Sequence, residues 1–117
     1  MNKLIFDIYI KQGATYKLSL EYRDKYEQPI DLTGCTYAME VRDTYGGTLL
    51  ADFTPYISSP DPVNGIISVE VPAEITDTYS FDKARHDLVV IYSDGTVERI
   101  IEGRAFLKQA VTEIEYV

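Results

Sequence analysis

The only histidine of the chain, His86, stands in the run Arg85-His86-Asp87, a triplet that invites an acid–base reading. That run opens the segment HDLVVIY, which is nearly all apolar and reads as a central strand. Neighbours on a strand point to opposite faces. His86 therefore shares a face with Leu88, Val90 and Tyr92, while Asp87 shares the other with Val89 and Ile91. The expectation is a packed His86, with Arg85 pairing with Asp87 near the strand end. Ser-His-Asp chemistry needs a nucleophile within reach of the imidazole, and the sequence nominates none. Cys35 is the single thiol and cannot form an internal bridge. No Lys, Arg or His lies within five residues of it to lower its pKa, so it reads as a small buried hydrophobe. One Cys and one His cannot build a structural zinc site. Asp-x-Asp-x-Asp-Gly calcium loops and glycine-rich phosphate loops are absent. A glycosidase-type carboxylate pair can always be imagined among 19 acids, and imagining it carries no weight. The residues thus predict no catalytic group, no metal site and no cofactor.

The elements that would position any site are β-strands. In TYKLSLEY, residues 15–22, Tyr16, Leu18, Leu20 and Tyr22 alternate with polar neighbours, the mark of a strand with one wet face. CTYAMEV places Cys35, Tyr37, Met39 and Val41 inside, and GIISVEV places Ile67, Val69 and Val71 inside. TVERIIEG alternates less tidily. Tyr45-Gly46-Gly47 and Ser93-Asp94-Gly95-Thr96 read as hairpin turns, and Asn64-Gly65 as a tight turn before a strand. SSPDPVNG, residues 58–65, is the most loop-like stretch, since two prolines cannot donate to a sheet ladder. Pro72-Ala73-Glu74-Ile75-Thr76 is the one helical candidate, with room for a turn or two. About seven or eight short strands with turn signals every 8–12 residues predict an all-β fold. The expected architecture is an antiparallel, immunoglobulin-like β-sandwich with at most one short helical turn, without the Cys…Trp…Cys framework of antibody domains.

The 117 residues make one domain, 1–117, long enough to bury a core without disulfides or metal. A net charge of −8 with eleven basic residues scattered along the chain argues against nucleic acid and against an anionic membrane as partners. No segment has the length of a membrane span. In MNKLIFDIYIKQG, Asp7 interrupts the apolar run and no small-residue cleavage site follows, so the segment reads as a first strand rather than a signal peptide. LIFDIYI and VTEIEYV either pair within the monomer or add a strand to a neighbour's sheet.

Ten tyrosines are the main functional hint of the composition. Tyr9, Tyr16, Tyr22, Tyr37 and Tyr92 fall on predicted strands. Tyr26, Tyr45, Tyr56 and Tyr79 fall in turns or loops and are the candidate partner contacts, at Lys25–Gln28, Thr44–Gly47, Pro55–Asn64 and Thr78–Asp82. Tyrosine offers area and a hydroxyl at low entropy cost, which suits protein interfaces and sugar sites alike. The same four rings would also serve if they folded back on their own sandwich.

The chain reads, in order, IKQGATYKLSLEYRDKYEQPIDLTG, CTYAMEVRDTYGGTLL, NGIISVEVPAE and HDLVVIYSDGTVERIIEGRAFL. Over about residues 10–110 this order resembles small β-sandwich proteins of tailed bacteriophages and prophages, the family that includes the N-terminal domain of the phage baseplate upper protein. Pro29 fixes an extended approach to the corner of PIDLTG, where Asp31 and Thr33 bond local backbone and Gly34 turns the chain. The resemblance implies a non-enzymatic virion protein of the tail, baseplate or fibre-attachment region, made in the host bacterial cytoplasm. Its implied partners are other phage virion proteins, with a symmetric homo-oligomer among the expected states. Where that family carries Tyr-Asp-Leu, this chain has His86-Asp87-Leu88. It carries no coiled coil after the sandwich, which favours a piece that decorates, joins or caps an assembly. A carbohydrate-binding module acting through the loop tyrosines is the alternative.

Overall fold

The computed structural model describes residues 4–115. The strands come in the order β1 (Leu4–Ile5), β2 (Ile8–Lys11), β3 (Tyr16–Glu21), β4 (Thr36–Arg42), β5 (Leu49–Asp52), β6 (Ile57–Asp61), β7 (Ile66–Val71), β8 (Lys83–Ile91) and β9 (Val97–Lys108). A single helical turn, α1 (Ala73–Thr76), stands where Pro72 sets an extended approach and the β7 alternation stops. Two 3-10 turns, Thr54–Tyr56 and Pro62–Asn64, go beyond the one helical turn expected, and both begin with proline near their first position.

The strands form two facing sheets, one ordered β1-β9-β8-β4-β5 with β2 also on β9, the other ordered β3-β7-β6. Lettered along the chain, β3, β7 and β6 take the B, E and D places, and β9, β8, β4 and β5 take G, F, C and C′. That is the strand arrangement of the immunoglobulin-like sandwich. It departs from a fully antiparallel fold at one edge. Both N-terminal pieces run parallel to β9, from Leu4 opposite Ile101 to Lys11 opposite Lys108. The chain reaches β3 by crossing to the other sheet rather than by a hairpin, and such a crossover allows a parallel edge. LIFDIYI is therefore paired within the molecule, in two pieces. Asp7 breaks it because its carboxylate accepts the Arg104 backbone N–H at 3.0 Å.

The core lies between the sheets where the alternation placed it. Met39 and Val41 of β4, Ile67, Val69 and Val71 of β7, and Leu88 and Val90 of β8 are all buried, closed by Phe53, Leu32 and Ile10. Each large apolar side chain so removed from water contributes about 1.5–3 kcal/mol before the entropy of ordering is counted. Cys35 is half-buried and free, just ahead of β4. The untidy pattern of TVERIIEG has a cause. Leu88 faces Ile101 but Val89 faces Arg99, so Ile100 is an extra residue in β9. This β-bulge lets Ile100 and Ile101, adjacent in sequence, both turn inward.

The proline-bearing stretch 58–65 is not all loop, because β6 runs through Ser58, Ser59 and Pro60. It is an edge strand with its own register shift, the position in a sheet where proline costs least. At the other end of the sandwich, buried Thr76 ties two connections together. Its hydroxyl donates to the Ala14 carbonyl at 2.8 Å and accepts the Gly13 N–H at 3.1 Å.

Candidate interaction face

Cross-strand register brings together charges that lie far apart in sequence. Glu40 faces Asp87, which faces Glu102, giving a line of three carboxylates across β4, β8 and β9 on the outer side of the larger sheet. The next line along the strands is Arg42, Arg85 and Arg104. Beyond it come Lys83, Phe106 and Tyr9, and then Lys108 beside Lys11. Like charges directly opposite one another disfavour a sheet. The compensation comes from neighbours that are not directly opposite, one on the same strand and two across adjacent segments. Arg42 pairs with Glu40 at 3.0 Å, Arg99 with Asp87 at 2.8 Å and Arg104 with Asp7 at 3.0 Å. The backbone N–H and then the guanidinium of Arg104 hold the Asp7 carboxyl below the usual range. Asp87 thus pairs with Arg99 and not with Arg85, because β9 lies beside Asp87 while Arg85 is drawn to a ring.

That ring is Tyr45. It stands on the hairpin between β4 and β5, 75 % exposed, with the Arg85 guanidinium 5.2 Å from its centroid. The hairpin is fixed from within. Asp43 accepts the Thr48 N–H at 2.9 Å, Gly46 takes a φ of 67°, and Arg42 donates to the Gly47 carbonyl at 2.7 Å. A cleft of about 230 Å³ opens here among Tyr45, Arg85, Glu40, Asp87, Arg99 and Glu102. Farther down the face Tyr9 stacks on Phe106 with centroids 5.3 Å apart, and Arg104 lies 5.6 Å from the Phe106 ring.

The four loop tyrosines have three fates. Tyr26, 71 % exposed, crowns a turn in which Asp24 accepts the N–H groups of Tyr26 and Gln28, at 2.8 and 3.0 Å. Arg23 and Pro29 bridge its base, and Glu27 takes a positive φ of 64°. Tyr56 is half-buried against the core. Tyr79 is only 7 % exposed and packs beside Phe53 and Phe81, which corrects its reading as a partner contact. Burial pushes its phenol up to about 12. Strand directions place Tyr26, between β3 and β4, at one end of the sandwich and Tyr45, between β4 and β5, at the other.

His86 is buried, as the alternation implied. Its Nε2–H donates to the Phe6 carbonyl at 2.9 Å, and Nδ1 has no partner among the described residues. Burial holds its pKa below the ordinary value, so it stays neutral. At the far end Tyr22 donates to Glu98 at 3.0 Å. Burial and then Glu98 push the phenols of Tyr22 and Tyr92 up, Tyr92 to about 12, so both remain protonated pins. Among the described residues no group of three or more His, Cys, Asp or Glu could hold a metal ion, and no helix is long and apolar enough to cross a membrane.

No family model matches the chain, and no curated protein sequence matches it. Solved structures of similar shape include VGSC beta subunits studied for multimeric cell-adhesive interactions, at 13 % identity and TM-score 0.49, over 92 % of this chain and 93 % of that one. A chain of the complex of ICOS with ICOS-L and an anti ICOS-L VNAR domain aligns at 12 % identity and TM-score 0.43, over 92 % of this chain and 56 % of that one. The fibronectin(III)-like modules of Clostridium thermocellum CbhA align at 10 % identity and TM-score 0.43, over 94 % and 93 %. These are likenesses of shape alone.

Proposed function

We propose that the chain is a non-enzymatic bacteriophage virion protein, a tail, baseplate or fibre-attachment component working through protein contacts in a symmetric assembly. The virion assignment rests on the order of motifs from IKQG to GRAFL. The outer face of the larger sheet carries the contact reading. It sets lines of opposite charge side by side with Tyr9, Phe106 and Tyr45 among them, in positions held by strands and a tight hairpin. Charge lines set a partner's register and exclude wrong partners, while preformed aromatic rings add contact area at low entropy cost. A carbohydrate site built on the loop tyrosines is less favoured, because Tyr26 and Tyr45 sit at opposite ends and one sugar cannot stack on both.

The test combines light scattering after size exclusion with a pull-down of virion proteins from a disassembled tailed phage. A discrete oligomer, or stoichiometric capture of a virion protein, is the expected result. A monomer that captures none overturns the reading. Glycan-array binding abolished by Tyr26→Ala or Tyr45→Ala would replace it with the carbohydrate module.

A further inference from the structure

The structure gathers what the sequence scatters. Six of the eleven basic residues, Lys11, Arg42, Lys83, Arg85, Arg104 and Lys108, lie on one half of the outer face, around the Tyr9–Phe106 stack. Arg42 and Arg104 are engaged by Glu40 and Asp7. Among the described residues, Lys11, Lys83, Arg85 and Lys108 are in no ion pair. The acids within this half are Asp7, Asp43 in the hairpin, and Asp82, which lines a cleft with Tyr9, Lys11 and Phe106, while the line of Asp52, Glu40, Asp87 and Glu102 borders it. A chain of net charge −8 therefore carries, on this half of the face, more basic than acidic side chains.

An acidic segment leaves from the edge of that same face. Ala110 donates its N–H to Gln12 at 3.1 Å, which pins the chain as it departs β9. Residues 111–115, Val-Thr-Glu-Ile-Glu, then form no strand and make no hydrogen bond to the rest of the described chain. Val111 is 99 % and Ile114 59 % exposed. Three β-branched residues in five suit an extended conformation, and Glu113 and Glu115 project together from one side of it.

We infer that the cationic half of this face receives the acidic segment Val111–Glu115 of a second copy. Sign and size both fit. Five extended residues span about 17 Å, and the four-residue step from Lys108 back to Arg104 along β9 spans about 13 Å. Glu113 and Glu115 meet the lysines, and Val111, on the same side of the extended segment, covers the Tyr9–Phe106 stack. Reaching its own face would require the chain to reverse at once beyond the Gln12 pin. A two-fold axis that brings two such ends together lets each segment cross to the other copy, giving a closed, isologous contact. The inference rests on the proposed reading of a symmetric assembly and names its contact.

The test is light scattering at about 50 mM and about 500 mM salt, where surface charge pairs are respectively felt and screened. The proteins are the wild type, Lys11→Glu/Lys108→Glu, Glu113→Lys/Glu115→Lys and the fourfold exchange, with thermal melts to show that each is folded. The wild type is expected to dimerise at low salt and dissociate at high salt. Each double reversal weakens the dimer at least tenfold, and the fourfold exchange restores it. A wild-type monomer, or a dimer indifferent to the reversals, overturns the inference. A dimer lost with the lysine reversals but kept with the glutamate reversals assigns the face to another part of the second copy and also overturns it. If the monomer still captures a virion protein, only this inference falls and the proposed function stands.

Discussion

At the scale of single residues, two buried polar groups make opposite predictions. The Tyr79 hydroxyl is buried with no partner among the described residues, while its ring fills space beside Phe53. Tyr79→Phe should therefore leave stability within about 0.5 kcal/mol of wild type or raise it, since an unmatched polar group is removed. Tyr79→Ala should cost about 3–5 kcal/mol, as for other large-to-small core changes. Urea titrations followed by tyrosine fluorescence separate the two. Equal losses from both variants would mean that the hydroxyl carries a bond. His86 predicts a pH effect. Burial lowers its folded pKa below 6.5, against the opposing pull of the Phe6 carbonyl, Asp87, Asp7 and Glu102. Above 6.5 both states are neutral and its effect on stability is nil. As pH falls through that value the unfolded chain takes a proton that the folded one refuses, so stability declines toward the folded pKa. His86→Gln should flatten the melting temperature below about pH 6.5, and a slope unchanged in that variant would assign it to another group. The inward turn of His86 was legible from alternation alone. The burial of Tyr79 was not, because a loop carries no period to say which way a ring folds.

At the scale of elements, strand existence was clear wherever one face is wet and one dry, as in β3, β4 and β7. It was obscured where a local device breaks the period of two. The bulge at Ile100 turns two neighbours inward, and β6 accommodates Pro60 because it is an edge. The parallel N-terminal edge had no sequence signal, since strand direction depends on where the chain crosses between sheets. That edge depends on Gly103. A Cβ there would lie 2.0 Å from the Phe6 carbonyl oxygen, the atom that receives the His86 bond. Gly103→Ala must push β1 and β2 away from β9 or deform β9 itself. The expected cost is about 1–3 kcal/mol, in the range of overpacked cores. Hydrogen exchange should locate the damage in the amides of Phe6 and Gln12, which bond to Glu102 and Lys108. Loss of protection spread evenly over β4 and β7 would mean that the edge is not a separable unit.

Charge acts at the scale of the whole molecule. In sequence the eleven basic residues look dispersed, which argued against nucleic acid and an anionic membrane, yet the cross-strand register collects six of them on one face. Spacing along the chain could not show this, because the residues come from four different strands. The acids are placed with equal purpose. Asp7 accepts from Arg104 at the N-terminal seam, Asp31 from Thr33 at the corner before β4, and Asp94 from Thr96 in the turn between β8 and β9. The Arg104 backbone bond at Asp7, the Thr33 side-chain bond at Asp31 and the Thr96 backbone bond at Asp94 lead in holding each carboxyl below its ordinary 3.8. A depressed carboxyl contributes stability above the unfolded value and loses it as pH falls through the folded one. Acid unfolding should therefore come in two stages: a shallow decline below 6.5 that belongs to His86, and a steeper one that starts only below 3.8. The sequence pI of 4.5 falls between 6.5 and 3.8, and there net repulsion vanishes and solubility is lowest, so the melts need low protein concentration. In His86→Gln the lower stage alone should remain, and Asp31→Asn should shrink that stage without touching the upper one. A single decline of unchanged position and size in every variant would sink the assignment of these two windows to these groups.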